Sequence, residues 1–193
     1  MRKIAVIFPG VGYKFDRPLL YYAGKAAQEE GYEVIRVDFV NIDKECLRKA
    51  ETMKEGFDEA VRQAELQLKD LDPASCHDIV FISKSIGTVV ASCYAHMHHI
   101  PAGQIYLTPL EPTFRFVSEG NGIVFFGDDD PWIDTDTIRE LCEAKGLRYS
   151  VIEGANHSLE TGHVRRDMEN MTRVIHECED YLKDRSELHH LGS

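Results

Sequence analysis

The chain is predicted to fold as an α/β protein, a parallel sheet with helices on both faces, and two observations lead there. Short β-rich apolar runs alternate with longer amphipathic stretches along the 193 residues. Runs such as Ile4-Ala-Val-Ile-Phe8 and Ile123-Val-Phe-Phe126 are apolar without a break, as strands buried on both faces must be. Strands are expected over 3–8, 33–39, 78–83, 104–107, 122–126 and 147–152, enough for one open sheet. Between them, 17–30 reads as a helix ending at Gly31, and 42–70, rich in Glu, Lys, Ala and Leu, as one stopped by Asp72-Pro73. A helix over 85–97 places Ile86, Val89, Val90, Cys93, Tyr94 and Met97 at helical spacing. Helices over 135–144 and 162–183 complete the alternation.

Composition narrows the function classes. With 43% hydrophobic and 28% charged residues the chain has apolar material for one sizeable core, and no repeat or Pro/Ser-rich linker divides it. A single domain over 1–185 is expected, with 186–193 as a flexible tail whose final residues are set aside from site reasoning. The formal net charge of -11 repels nucleic acid and anionic membrane surfaces, so neither is expected as a partner. Five widely spaced cysteines (Cys46, Cys76, Cys93, Cys142, Cys178), an odd number without a C-x-x-C pair, favour a reducing compartment. The apolar run at the N-terminus is broken by Pro9-Gly10 far short of a signal or membrane-spanning length. A soluble, cytoplasmic protein is expected.

In open α/β sheets, ligands bind outside the carboxyl ends of the strands, and there this sequence is chemically loaded. The expected turns hold Pro9-Gly10-Val11-Gly12-Tyr13, Lys84-Ser85-Ile86-Gly87, Gly127-Asp128-Asp129-Asp130-Pro131 and Glu153-Gly154-Ala155-Asn156-His157-Ser158. Ser83-Lys84-Ser85-Ile86-Gly87 differs from G-x-S-x-G only at Ser83, a small replacement for glycine. Taken alone, Ser85 reads equally well as a helix N-cap. A serine hydroxyl becomes a useful nucleophile when a histidine takes its proton and a carboxylate orients that histidine. Ser85, Asp130 and His157 occur in that order, each just beyond a different expected strand.

Alternatives exist for two of the three. Asp128 or Asp129 could supply the acid instead of capping a turn or facing solvent, and Glu111 is a more distant substitute. His96, His98 and His99 fall at a helix end, where a cation complements the dipole, and His163 lies farther from its strand. None of these spacings matches H-E-x-x-H or a Cys/His zinc pattern, so no metal is expected. The Pro9–Tyr13 turn lacks the lysine and Ser/Thr of a phosphate-binding P-loop.

In Pro9-Gly10-Val11-Gly12, Ser83-x-Ser85-x-Gly87, Gly127-Asp-Asp-Asp130-Pro131 and Asn156-His157-Ser158 the chain resembles the α/β-hydrolase family over essentially its whole length. The resemblance implies Ser85 as nucleophile, His157 as base and Asp130 as acid, with no cofactor. It also implies an oxyanion hole from the backbone N–H groups of Val11 and Ile86, with Gly10 and Gly12 giving the loop freedom to aim an amide inward. The strand order implied is 2-1-3-4-5-6, all parallel, in a three-layer sandwich that lacks the family's first two strands. The stretch over 108–121 is too short for a cap domain. An uncapped crevice rimmed by Tyr13, Lys14, Lys84, Trp132 and Leu159 would suit a small or partly exposed ester or thioester. Two other readings stay open: a catalytically inactive binding or scaffold protein on the same fold, and a flavodoxin-like nucleotide-binding domain.

Overall fold

The computed structural model describes residues 2–42 and 50–191. Six parallel strands form one sheet in the order β2-β1-β3-β4-β5-β6. They are β1 (Arg2–Phe8), β2 (Glu33–Arg36), β3 (Cys76–Lys84), β4 (Gly103–Leu107), β5 (Ile123–Gly127) and β6 (Arg148–Ile152). The helices are α1 (Pro18–Glu29), α2 (Ala50–Gln67), α3 (Ile86–Met97), α4 (Thr135–Ala144) and α5 (Val164–Leu191), with short 3-10 turns at Pro73–Ser75 and Glu111–Arg115. The part of the expected 42–70 helix that spans 43–49, with Cys46, lies outside the described residues.

Both sheet faces are covered, which explains the unbroken apolar runs. Along β1, Ala5 and Ile7 pack with Leu19, Leu20 and Ala23 of α1 and Val174 and Leu182 of α5. The alternate residues Ile4, Val6 and Phe8 pack on the other side with Ala60 and Ala64 of α2 and Val90 and Ala91 of α3. A third cluster, around Tyr106, Val124, Phe126, Ile138 and Cys142, fixes α4 to β4 and β5. At the amino end of the sheet, the buried Asp78 carboxylate binds Arg185 Nη2 at 2.5 Å and accepts from the Tyr32 hydroxyl at 2.5 Å, anchoring α5 to β3.

Most element ends shift by one to three residues from expectation, and the ends of β2 and α5 show why. Strand β2 stops at Arg36 although 37–39 is apolar enough to continue. From there the side-chain amides of α2 replace a neighbouring strand. Gln67 accepts from Asp38 N–H and donates to Asp38 C=O, and Gln63 does the same at Val40, all at 2.8–2.9 Å. At the C-terminus, α5 continues past Lys183 to Leu191, so most of the stretch expected as a loose tail is helical, with Ser186 Oγ accepting from Lys3 Nζ at 3.0 Å. No helix among the described residues is long and apolar enough to cross a membrane.

Candidate active site

The carboxyl ends of β1, β3, β5 and β6 bring the four loaded turns together. At the end of β3 the chain turns at Ser85 with φ 55 and ψ -126, a backbone conformation that ordinary residues avoid. Ser85 N–H donates to Leu107 C=O at 3.1 Å, and Ser85 C=O accepts from Thr88 N–H and from Thr88 Oγ1 at 2.6 Å. Ser85 occupies the N-cap position of α3, yet its side chain makes no capping bond. Its hydroxyl points instead at His157 Nε2, 2.8 Å away.

The sharpness of this turn depends on its small neighbours. Gly87 lies against the end of β1, and Ser83, wholly buried, turns its hydroxyl sideways to donate to Ile105 C=O of β4 at 3.2 Å. The serine that stands for the usual glycine is therefore accommodated by the neighbouring strand. Loop β1–α1 packs on Ser85 as well: a β-carbon at Gly10 would stand 3.2 Å from Ser85 Cβ. Gly10 and Tyr13 exchange backbone hydrogen bonds of 3.1 and 3.2 Å, which puts Val11 and Gly12 at the tip of a tight turn. Ile86 is the first residue of α3, so its N–H is one of those an α-helix leaves without an internal partner.

His157 Nδ1 lies 2.7 Å from Asp130 Oδ2, and the other Asp130 oxygen accepts from Trp132 N–H at 2.9 Å. Asp130 is buried, whereas Asp128 and Asp129 are exposed; Asp128 Oδ1 accepts from Gly154 N–H and so ties the acid loop to the histidine loop. Those two loops can meet because position 127 has no side chain: a β-carbon there would fall 1.9 Å from Ala155 O. Glu111 is exposed on its 3-10 turn. His96, His98 and His99 are exposed at the far end of α3, with His98 bound to Glu65 at 3.3 Å, and His163 is exposed beyond the histidine loop. Burial holds the His157 pKa below its ordinary 6.5; the bond to Asp130 opposes this, and the charge of Lys84 adds to it. A neutral imidazole with Nδ1–H fixed on Asp130 leaves Nε2 free to take the Ser85 proton.

Two of the expected rim residues are not on the rim. Lys84 is 1% exposed, its amine donating to Thr108 Oγ1 at 2.5 Å and His157 C=O at 2.6 Å, so it cannot greet a substrate. Leu159 is also buried, because a left-handed turn at φ 59 folds it inward against the α1/α5 side of the core. Of the others, Trp132 is half-buried with its ring 5.6 Å from the imidazole. Tyr13 is half-buried with its hydroxyl accepting from Leu19 N–H at 3.2 Å, and Lys14 is exposed and paired with Asp38. Thr108 was not among the expected site residues, although its place just after β4 follows the strand-end rule that marks the others. Among the described residues no group of three or more His, Cys, Asp or Glu is placed to hold a metal ion.

No protein-family model matches the chain, and no curated protein matches its sequence. Its structure, by contrast, is similar to solved α/β hydrolases. One is an α/β serine hydrolase homologue from Coxiella burnetii, 16% identical, with 91% of this chain and 84% of that one covered at a TM-score of 0.66. A second is a serine hydrolase without a lid from Xanthomonas campestris, 14% identical, covering 93% and 82% at 0.66. A third is a thermophilic esterase from Thermogutta terrifontis, 19% identical, covering 95% and 81% at 0.60. The chain thus has the α/β-hydrolase fold in its minimal form. The segment between β4 and β5, where a cap could be inserted, holds only the Glu111–Arg115 turn.

Proposed function

We propose that the chain is a serine hydrolase that cleaves a small ester or thioester through an acyl-serine intermediate. The observation that carries this reading is the unbroken hydrogen-bonded line from Ser85 Oγ through His157 to Asp130, at 2.8 and 2.7 Å, starting from a strained backbone turn. Strain of this kind costs on the order of 1–3 kcal/mol and persists where the surrounding structure enforces it for a purpose.

In the proposed reaction Ser85 Oγ attacks the acyl carbon while His157 Nε2 takes its proton and Asp130 stabilises the imidazolium. The N–H groups of Val11 and Ile86 receive the developing oxyanion, worth about 3–4 kcal/mol per donor where such donors have been removed from other enzymes. The imidazolium then protonates the leaving group, and a water activated by the same histidine releases the acid. Val11, Gly12 and Trp132 are partly or fully exposed around the serine, which supports an open site for a small acyl group rather than a deep tunnel. A groove of about 510 Å³ between α1 and α5, lined by Tyr22, Leu159, Met168, Met171 and Ile175, is separate from the triad's lining. A panel of short-chain p-nitrophenyl esters and acyl thioesters, run with the wild type and Ser85→Ala, tests the reading. Turnover of at least one class, lost in Ser85→Ala, is expected; no turnover of any, or undiminished turnover by Ser85→Ala, contradicts it.

A further inference from the structure

A lysine side chain that is 1% exposed needs a reason, because a buried ammonium loses its hydration and is rarely found without partners. No carboxylate pairs with the Lys84 amine among the described residues; Asp130 and Glu160 attract it only from farther away. What surrounds it is a set of acceptors: Thr108 Oγ1 at 2.5 Å, His157 C=O at 2.6 Å and the face of the Tyr13 ring, 4.9 Å to its centre. An ammonium has three N–H donors; two of them meet oxygen acceptors, and the charge lies over the Tyr13 ring. They come from three different places: Tyr13 from the loop after β1, Thr108 from the loop after β4, and His157 from the loop after β6. Lys84 itself is the residue before Ser85.

We propose that Lys84 is a positioning residue of this site, its buried amine tying the Ser85 turn to the loops that carry Val11, Thr108 and His157. The role rests on the serine-hydrolase reading above. Thr108 has φ 46, a left-handed conformation that a β-branched residue adopts only when its surroundings enforce it, and its N–H is held by Phe125 C=O at 2.7 Å. Its hydroxyl is thereby presented to the amine. Because the amine binds the backbone carbonyl of His157, it sets the height of the imidazole over Ser85, where a displacement of about 1 Å costs up to about 100-fold in rate.

The same contact has an electrostatic consequence. The ionisable groups facing the amine are Asp130 and Glu160, which favour its charge, together with His157 and the Tyr13 phenol. Burial brings the Lys84 pKa down to about 7. The charge of the amine lowers the His157 pKa, since it opposes a second positive charge beside it. Removing the amine therefore raises the His157 pKa.

The test compares wild type, Lys84→Met and Lys84→Gln with p-nitrophenyl acetate and a fluorophosphonate probe. For Lys84→Met we expect kcat and the labelling rate to fall about 10- to 100-fold with KM unchanged. The acid limb of kcat/KM should move to higher pH, and the melting temperature should not fall, since an apolar side chain of similar volume replaces a buried charge. Lys84→Gln keeps a donor without the charge, so it should recover part of kcat but keep the displaced acid limb. Wild-type kcat in Lys84→Met overturns the proposal; so does a loss that tracks a lower melting temperature while the pH limb stays in place. Should Lys84→Met fail to fold, Thr108→Ala keeps the amine and removes one acceptor: a several-fold lower kcat at unchanged KM and pH limb supports the proposal, and unchanged kcat overturns it. Wild type that is neither active nor labelled sinks the serine-hydrolase reading itself, whereas active wild type beside fully active Lys84→Met sinks only the role of the lysine.

Discussion

The carbonyl oxygen of Phe8 lies 2.3 Å from where a β-carbon would stand on Gly87, and Pro9 O lies 2.5 Å from the same point. The first turn of α3 thus rests directly on the backbone at the end of β1, the contact that brings Ser85 beside the Gly10–Tyr13 turn. Both obstructing atoms are backbone, so neither can swing aside. Gly87→Ala should lower stability by about 1–3 kcal/mol, as overpacking does, and cut ester hydrolysis at least tenfold by prying the Ser85 turn from Val11. Urea unfolding midpoints and initial rates check both.

The turn conformation at Ser85 makes a separate prediction. With φ 55 the residue is strained for any side chain and relaxed for glycine. Ser85→Gly and Ser85→Ala should both be inactive, but Ser85→Gly should be more stable by about 1 kcal/mol, a melting point about 2–4 °C higher. Differential scanning calorimetry of the two variants measures this difference.

Ser83 sits where the family pattern has glycine, and its hydroxyl bond to Ile105 C=O leaves the turn undisturbed. Ser83→Gly should therefore change kcat less than about threefold while lowering stability by about 1 kcal/mol through the lost hydrogen bond and the added chain freedom. A tenfold gain in activity would show instead that Ser83 impairs the site.

The acid side of the pH dependence follows from His157. Burial holds its pKa below 6.5, and the neutral form is the base, so the acid limb of kcat/KM should fall as pH drops through a value under 6.5. Asp130→Asn removes the interactions that raise this pKa, moving the acid limb lower still; kcat should fall about 10⁴-fold, the scale seen for this change in a well-studied triad. Asp129→Asn, on an exposed side chain, should stay within about threefold of wild type. A kcat/KM profile between pH 4.5 and 8.5, roughly spanning the ordinary histidine range, separates these outcomes.

Much of the fold is readable in the sequence, because parallel strands buried on both faces are forced to be continuously apolar and their carboxyl ends collect Ser, Asp, His and Gly. The serine, aspartate and histidine could be picked out by their order on separate strand ends, and the structure brings those three side chains within hydrogen-bonding distance. What escaped the sequence depends on partners far along the chain. Lys84 reads as an exposed residue at the crevice rim until Tyr13, Thr108 and His157 supply its acceptors. Leu159, between Ser158 and Glu160, looks exposed until its left-handed turn is seen. The end of β2 is decided by Gln63 and Gln67, whose amides leave no periodic signal.

Activation of Ser85 as a nucleophile by His157 and Asp130 can be read out by intact-protein and peptide mass spectrometry after treatment with a fluorophosphonate. A single adduct on the peptide containing Ser85, absent from Ser85→Ala and much slower to form in Asp130→Asn, is the predicted result. An unmodified wild type, or an adduct that persists in Ser85→Ala, would contradict it.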